Sequence, residues 1–117
     1  MNSTTSGKIA EFMARAYLRI KGYRILRKNV KGFLKMPAGE VDFIAIKNKT
    51  LVFVEVKKRQ TLEKAKYAIS FTQKKRIINA AKLFIKQNPF YQNYNIRFDA
   101  ILIQFPCKII HIENAWQ

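Results

Sequence analysis

The stretch from Gly39 to Lys58, GEVDFIAIKNKTLVFVEVKK, sets two apolar runs back to back around a short polar step, which is the pattern of a β-hairpin. Val41 to Ile46 and Leu51 to Val56 are rich in Val, Ile and Phe, and Asn48-Lys49 forms the turn between them. That turn lacks the glycine that favours a primed two-residue geometry. Side chains alternate faces along a strand, so Glu40 and Asp42 share a face of the first strand, and Glu55 and Lys57 share a face of the second. If Lys47 pairs with Thr50 across the turn, facing residues have numbers that sum to 97. Asp42 then stands opposite Glu55 and Glu40 opposite Lys57, so that four charges share one patch.

Directly opposed side chains are roughly 4.5 to 5.5 Å apart at Cβ, and like charges there destabilise a sheet. Asp42 against Glu55 therefore needs a reason, and a divalent cation supplies one. Mg²⁺ (or Mn²⁺) is a natural one, because it is held by one or two carboxylates together with waters and phosphate oxygens. Lys57, about 7 Å along the strand from Glu55, is suited to orienting a water or neutralising charge on a phosphate. The alternative is a solvated edge hairpin whose charges discourage aggregation. Composition weighs against it, since the chain has only seven acidic residues and three of them, Glu40, Asp42 and Glu55, fall in this apolar hairpin.

The order Asp42, a dozen residues, then Glu55-Val56-Lys57 resembles the PD-(D/E)xK signature of restriction-endonuclease-like nucleases, without the proline of its first motif. More narrowly, GEVDFIAI followed by LVFVEVKKR resembles the bacterial YraN-like family, small proteins similar to archaeal Holliday-junction resolvases. An opening helix with Glu11, a later Gln-Lys-Lys-Arg helix start and the Arg97-Phe98-Asp99 strand extend the resemblance over most of the chain, although Ala10 precedes Glu11 where a second glycine is expected. The resemblance implies a restriction-endonuclease-like α/β core and a nuclease site. In that site Asp42 and Glu55 hold metal, Lys57 assists the water or phosphate, and Glu40 and Glu11 are auxiliary.

At 117 residues the chain is long enough for one domain, residues 1–117, with a core of its own. Cys107 is the sole cysteine, which excludes an intrachain disulfide and fits a reducing compartment. The opening MNSTTSGKIAEF lacks the apolar core of a signal peptide and no run is long enough to span a bilayer, so a cytoplasmic protein is expected. Twenty-three Lys and Arg against seven Asp and Glu give a formal net charge of +16. Such a field attracts polyanions, and nucleic acid is the expected partner. A ribosome-associated protein, or lysine use imposed by genome composition, would give the same charge.

Along the chain, Ser6 or a neighbouring Ser/Thr caps a first helix that ends near Lys21, with Gly22 as its stop. Ile9, Met13, Ala16, Tyr17 and Ile20 follow helical spacing as the buried stripe. Glu11 lies about 200° around from Ile9, where it is either solvated or faces a cleft beside the hairpin. Tyr23 to Val30 reads as the first strand, its basic side chains near a phosphate path, and Lys31 to Gly39 as a loop. Lys57-Lys58-Arg59 leads into a mobile basic segment over Gln60 to Phe71. Ser70 and Gln73 form a capping box for a second helix whose apolar face is Ile77, Ile78, Ala81, Phe84 and Ile85, ended by Asn88-Pro89. Gln73, Lys74, Lys75 and Arg76 crowd its first turn, where cations oppose the helix dipole unless an anion binds; with Lys58 and Arg59 they are the candidate nucleic-acid contacts. Tyr91 and Tyr94 either stack on bases or cover the core. Ile96 to Phe105 and Lys108 to Ile112 are the last strands, Asp99 and the lone His111 read as structural, and Trp116 docks on the core or on a partner.

The order α-β-β-β-α-β-β fits a mixed sheet flanked by helices. The expected activity is Mg²⁺-dependent phosphodiester hydrolysis in DNA, with branched or recombination intermediates among the substrates, and paired incision of a junction would need a homodimer. A non-catalytic nucleic-acid-binding accessory protein, for DNA or RNA, is the alternative.

Overall fold

Strands that are apolar on both faces must be covered on both sides, and the hairpin strands are of this kind. In a computed structural model that describes residues 3–28, 41–58, 70–106 and 108–115, the elements are α1 (Ser3–Ile20), β1 (Arg24–Lys28), β2 (Phe43–Lys47), β3 (Thr50–Lys58), α2 (Phe71–Gln87), a single 3₁₀ turn (Pro89–Tyr91), β4 (Asn95–Gln104) and β5 (Lys108–Ile112). Among the described residues, the order read from the sequence is the observed one. One five-stranded sheet runs β1-β2-β3-β4-β5. Only β3 and β4 are parallel, and the other neighbours are antiparallel. That pairing follows from α2, because a parallel neighbour needs a crossover whereas antiparallel strands need only a turn.

The two helices seal opposite faces. Ala10, Ala14 and Leu18 of α1 pack with Tyr23, Phe43, Ala45, Val52, Val54, Ile101 and Ile103. Ile77, Ala80, Ala81 and Phe84 of α2 pack with Ile44, Ile46, Leu51, Phe53, Ala100 and Leu102. The alternation along β2 and β3 thus sends each residue to the helix its parity dictates. No helix among the described residues is long and apolar enough to cross a membrane.

The hairpin register is the one expected from the sequence, with Lys47 paired to Thr50 and Phe43 to Val54. Asn48 and Lys49 both take positive φ, 49° and 60°, so the turn is made in the left-handed region without glycine. The stop at Gly22 also forms as read: its φ is 96°, its N–H donates to Arg19 O, and the Tyr23 N–H donates to Leu18 O. This is the Schellman closure of a helix.

Three expectations are corrected. The α1 helix starts at Ser3, ahead of the Ser6 cap. Its buried stripe is Ala10, Ala14 and Leu18, with Met13 and Tyr17 beside it, while Ile9 is 37% and Ile20 86% exposed. Small alanines let the helix lie close on the sheet, so the contact line is set by the residues that permit approach rather than by the bulkiest ones. On α2, Ile78 and Ile85 are only partly buried. With Ala81, Lys82, Ile96 and Phe98 they line an open groove of about 420 Å³. Tyr91 stacks on Phe84 at 5.8 Å, and Tyr94 meets Tyr91 edge-on at 5.1 Å, so both tyrosines cover the core. The 31–39 loop, most of the 60–71 segment, Cys107 and Trp116 lie outside the described residues.

Candidate functional site

Hydrogen-bonded pairs in an antiparallel ladder recur every second residue, and from Lys47–Thr50 the series leads through Phe43–Val54 to Val41–Val56. That last bond is replaced. The Val56 N–H donates to Asp42 Oδ2 at 2.7 Å, so the Asp42 carboxylate stands where a backbone carbonyl would have continued the ladder. Glu55, next to Val56 on β3, is 5% exposed. Its Oε2 accepts from Gln73 Nε2 at 3.1 Å. Gln73 is delivered by the start of α2, where Ser70 Oγ accepts the Gln73 backbone N–H at 3.1 Å. Half of the expected capping box therefore forms, while the glutamine side chain turns to Glu55 instead of back to the cap.

The carboxyl groups of Asp42 and Glu55 are within hydrogen-bonding reach of each other. Burial, and then Asp42, push the Glu55 carboxyl far above its ordinary range, and the Lys57 charge and the Gln73 hydrogen bond offset only part of this. Glu11 reaches the same locality from α1: burial and the negative charge of Asp42 raise its pKa, against Arg15. Asp42, just ahead of β2, thus acts on both Glu55 of β3 and Glu11 of α1. The helical-wheel position of Glu11 had left a solvated side chain as one option, and the corrected contact line of α1 turns it toward the hairpin. The described residues contain no set of three His, Cys, Asp or Glu side chains arranged to hold a metal ion. A cation here would rest on the Asp42–Glu55 pair with waters and substrate oxygens, the manner in which Mg²⁺ is usually bound. The donors fit it: both are hard oxygens, and one oxygen of each is fixed by the protein, at Val56 and at Gln73.

Lys57 and Lys58, half-buried, close β3. Lys74 is half-buried, while Lys75 and Arg76 are exposed, and Lys75 Nζ lies 5.1 Å from the centre of the Phe71 ring. Gln73, grouped with these cations in the sequence, is the one that donates to Glu55. Glu40 and Arg59 lie outside the described residues.

A second polar cluster occupies the α1 face of the sheet. Asp99 is fully buried. It accepts from Arg97 Nε at 2.9 Å and Nη2 at 2.8 Å, and from the Asn114 N–H at 3.0 Å. His111 Nε2 lies 2.6 Å from its Oδ2, and Arg97 Nη2 also donates to Tyr23 Oη. Burial opposes ionisation of Asp99, but His111, Arg97 and Asn114 outweigh it and hold the carboxyl below its ordinary pKa. The sequence signalled only that Arg97 and Asp99 share a strand face. That His111 and Tyr23 complete the set depends on β5 and the end of α1 meeting β4.

A model of the uncharacterised protein family UPF0102 matches residues 10–103. The chain is 44% identical to a UPF0102 protein of Nitrobacter winogradskyi over 98 residues, covering 84% of this chain and 80% of that one. It is 40% identical to one of Paramagnetospirillum magneticum over 112 residues, 95% and 86% of the two chains. With one of Ehrlichia ruminantium it shares 38% over 113 residues, 97% and 84%.

Proposed function

The chain belongs to the uncharacterised protein family UPF0102, and from that premise we propose that it is a Mg²⁺- or Mn²⁺-dependent endonuclease of the restriction-endonuclease-like kind, acting on DNA. The observation that carries the proposal is the Asp42–Glu55 pair. Two carboxyl groups converge at the end of a buried strand, one of them 5% exposed, and Asp42 adds to the cost that burial sets on ionising Glu55. A fold retains such an arrangement at a cost in stability unless a cation offsets it.

Asp42 and Glu55 would hold the metal, whose chemistry when bound is to acidify water and to neutralise charge building on the phosphate. The remaining work belongs to the protein. The Val56 N–H and the Gln73 amide each fix one carboxylate oxygen, which limits the directions in which the other oxygens can point. Lys57, on the face of Glu55, supplies a positive charge beside the phosphate and a donor to orient the attacking water. Glu11 adds negative potential from the α1 side, in an auxiliary role shared with Glu40. Branched or recombination intermediates are the substrates suggested by the resemblance to resolvases, and paired incision would use a homodimer.

The test is incubation of single-stranded, duplex, flapped and four-way-junction DNA with Mg²⁺ or Mn²⁺, comparing wild type with Asp42→Asn. Cleavage of one substrate that disappears in the variant, with binding kept, is the expected result. Binding without cleavage under either metal would sink the nuclease reading and leave a nucleic-acid-binding accessory protein.

A further inference from the structure

Helix α2 carries five cations, Lys74, Lys75, Arg76, Lys82 and Lys86, and no acid. Its sheet side is fixed by Ile77, Ala80, Ala81 and Phe84. On the opposite side Lys75, Asn79, Lys82 and Lys86 are all exposed. They fall at intervals of four, three and four residues, so they form one ridge, with Arg76 beside its start. A solvated helix face is normally stabilised by interleaving glutamates at i,i+4. Here Lys82 and Lys86 stand at that interval as like charges, and Lys74, Lys75 and Arg76 oppose the dipole at the N-terminus. The described acids lie elsewhere: Glu11, Asp42 and Glu55 at the carboxyl site, Asp99 in its buried cluster, and Glu113 against Arg97. Among the described residues, therefore, no acid compensates the ridge.

Its course is also fixed by the fold. α2 leaves the end of β3 with Gln73 bonded to Glu55, and the crossover carries it back to the start of β4, where the Asn95 N–H donates to Lys49 O beside the hairpin turn. The ridge thus starts on the outer side of the helix end whose inner side meets Glu55 through Gln73, and runs away from that end. From Lys75 to Lys86 it covers about 16 Å at 1.5 Å per residue. Phosphates follow one strand of B-DNA every 3.4 Å along the axis, so this length matches about five nucleotides.

We propose that the Lys75–Asn79–Lys82–Lys86 ridge on the outer side of α2 tracks a nucleic-acid backbone over about five nucleotides. This deepens the nuclease reading by assigning its substrate a backbone arm, and shares with it only the premise that the partner is nucleic acid. Binding measured without metal tests the ridge whatever happens to cleavage.

The experiment is fluorescence anisotropy of a labelled 24-base-pair DNA duplex in EDTA between 50 and 300 mM KCl. It compares wild type, Lys82→Gln/Lys86→Gln, and a charge-matched control, Arg19→Gln/Lys108→Gln, whose residues are exposed on α1 and β5. Each phosphate contact contributes about 0.9 to the slope of log K against log salt. The ridge variant is expected to lose about 1.8 in slope and at least tenfold in affinity near 100 mM KCl, while the control keeps its slope within about 0.5. All four substitutions replace exposed side chains, and circular dichroism checks that both variants fold. Equal losses in both variants would reduce the ridge to net charge and overturn the proposal. So would an unchanged ridge variant, or a wild type that binds an acidic protein such as prothymosin but not the duplex.

Discussion

Glu55 and Asp99 are both acids sealed inside the protein, 5% and 0% exposed, on adjacent parallel strands, yet their surroundings push them in opposite directions. Asp99 has a two-point arginine contact, a histidine and a backbone N–H, so its charge is welcome despite burial. Glu55 has one amide and a second carboxyl group, so its charge is resisted. A buried acid with a complete donor set stabilises a fold. One facing another acid marks a candidate functional site. The difference separates the two clusters: the Asp99 network clamps β4 and β5 to the end of α1, whereas the Asp42–Glu55 pair is the candidate site.

The largest effect that can break this comparison is on stability. Asp99→Asn leaves Arg97 without its buried ionic partner, with only the exposed Glu113 at 3.9 Å, and is expected to cost about 3–5 kcal/mol, whereas Glu55→Gln removes a resisted charge and is expected to stabilise the metal-free protein by about 1 kcal/mol or more. Urea unfolding at pH 8 in EDTA measures both, and similar losses in the two variants would erase the distinction. The pH dependence carries the same signs. Folded Glu55 keeps a proton that the unfolded chain releases above about pH 4.3, so its contribution falls as pH rises from there toward its raised folded pKa. The advantage of Glu55→Gln in thermal melts should therefore grow from pH 5 to pH 9. Asp99, held below its ordinary value, contributes fully above about pH 3.9 and loses that contribution as pH falls through its folded pKa.

A smaller effect sharpens the comparison from the ligand side. Millimolar Mg²⁺ or Mn²⁺ should raise the melting temperature of wild type, each kcal/mol of binding being worth roughly 4 °C or more in a domain of this size. The rise should vanish in Asp42→Asn, while a Tyr23→Phe change in the Asp99 network leaves it intact. An equal rise in Asp42→Asn would place metal binding elsewhere.

The smallest effect lies at the far end of the same hairpin. Lys49 holds φ at 60°, a conformation that costs a side chain about 1–2 kcal/mol. Lys49→Gly should relieve part of this and add up to about 1 kcal/mol, after the greater backbone entropy that glycine loses on folding. Unlike Glu55→Gln, the gain should be the same at pH 5 and pH 9. A pH-dependent gain would mean that the hairpin, rather than the carboxyl pair, titrates.

Strand alternation, the two-residue turn and the order of apolar runs are short-range properties, so the sequence alone determined the hairpin, its register, the meeting of Asp42 with Glu55 and the α-β-β-β-α-β-β order. It also determined Gly22 as the stop of α1 and Ser70 as the cap of α2, since both act within one helical turn. The tertiary structure decided the rest. Which stripe of α1 is buried depends on how closely its alanines let it approach the sheet, and that rotation brings Glu11 under the charge of Asp42. Gln73 bonds Glu55, 18 residues away, only because the crossover starts α2 at the end of β3. Arg97, Asp99, His111 and Tyr23 meet, Arg97 and Tyr23 across 74 residues, because the strand order puts β5 beside β4 and the end of α1 over both. A linear pattern records which face a side chain takes on its own element, whereas the partner across the gap is chosen by how the elements pack.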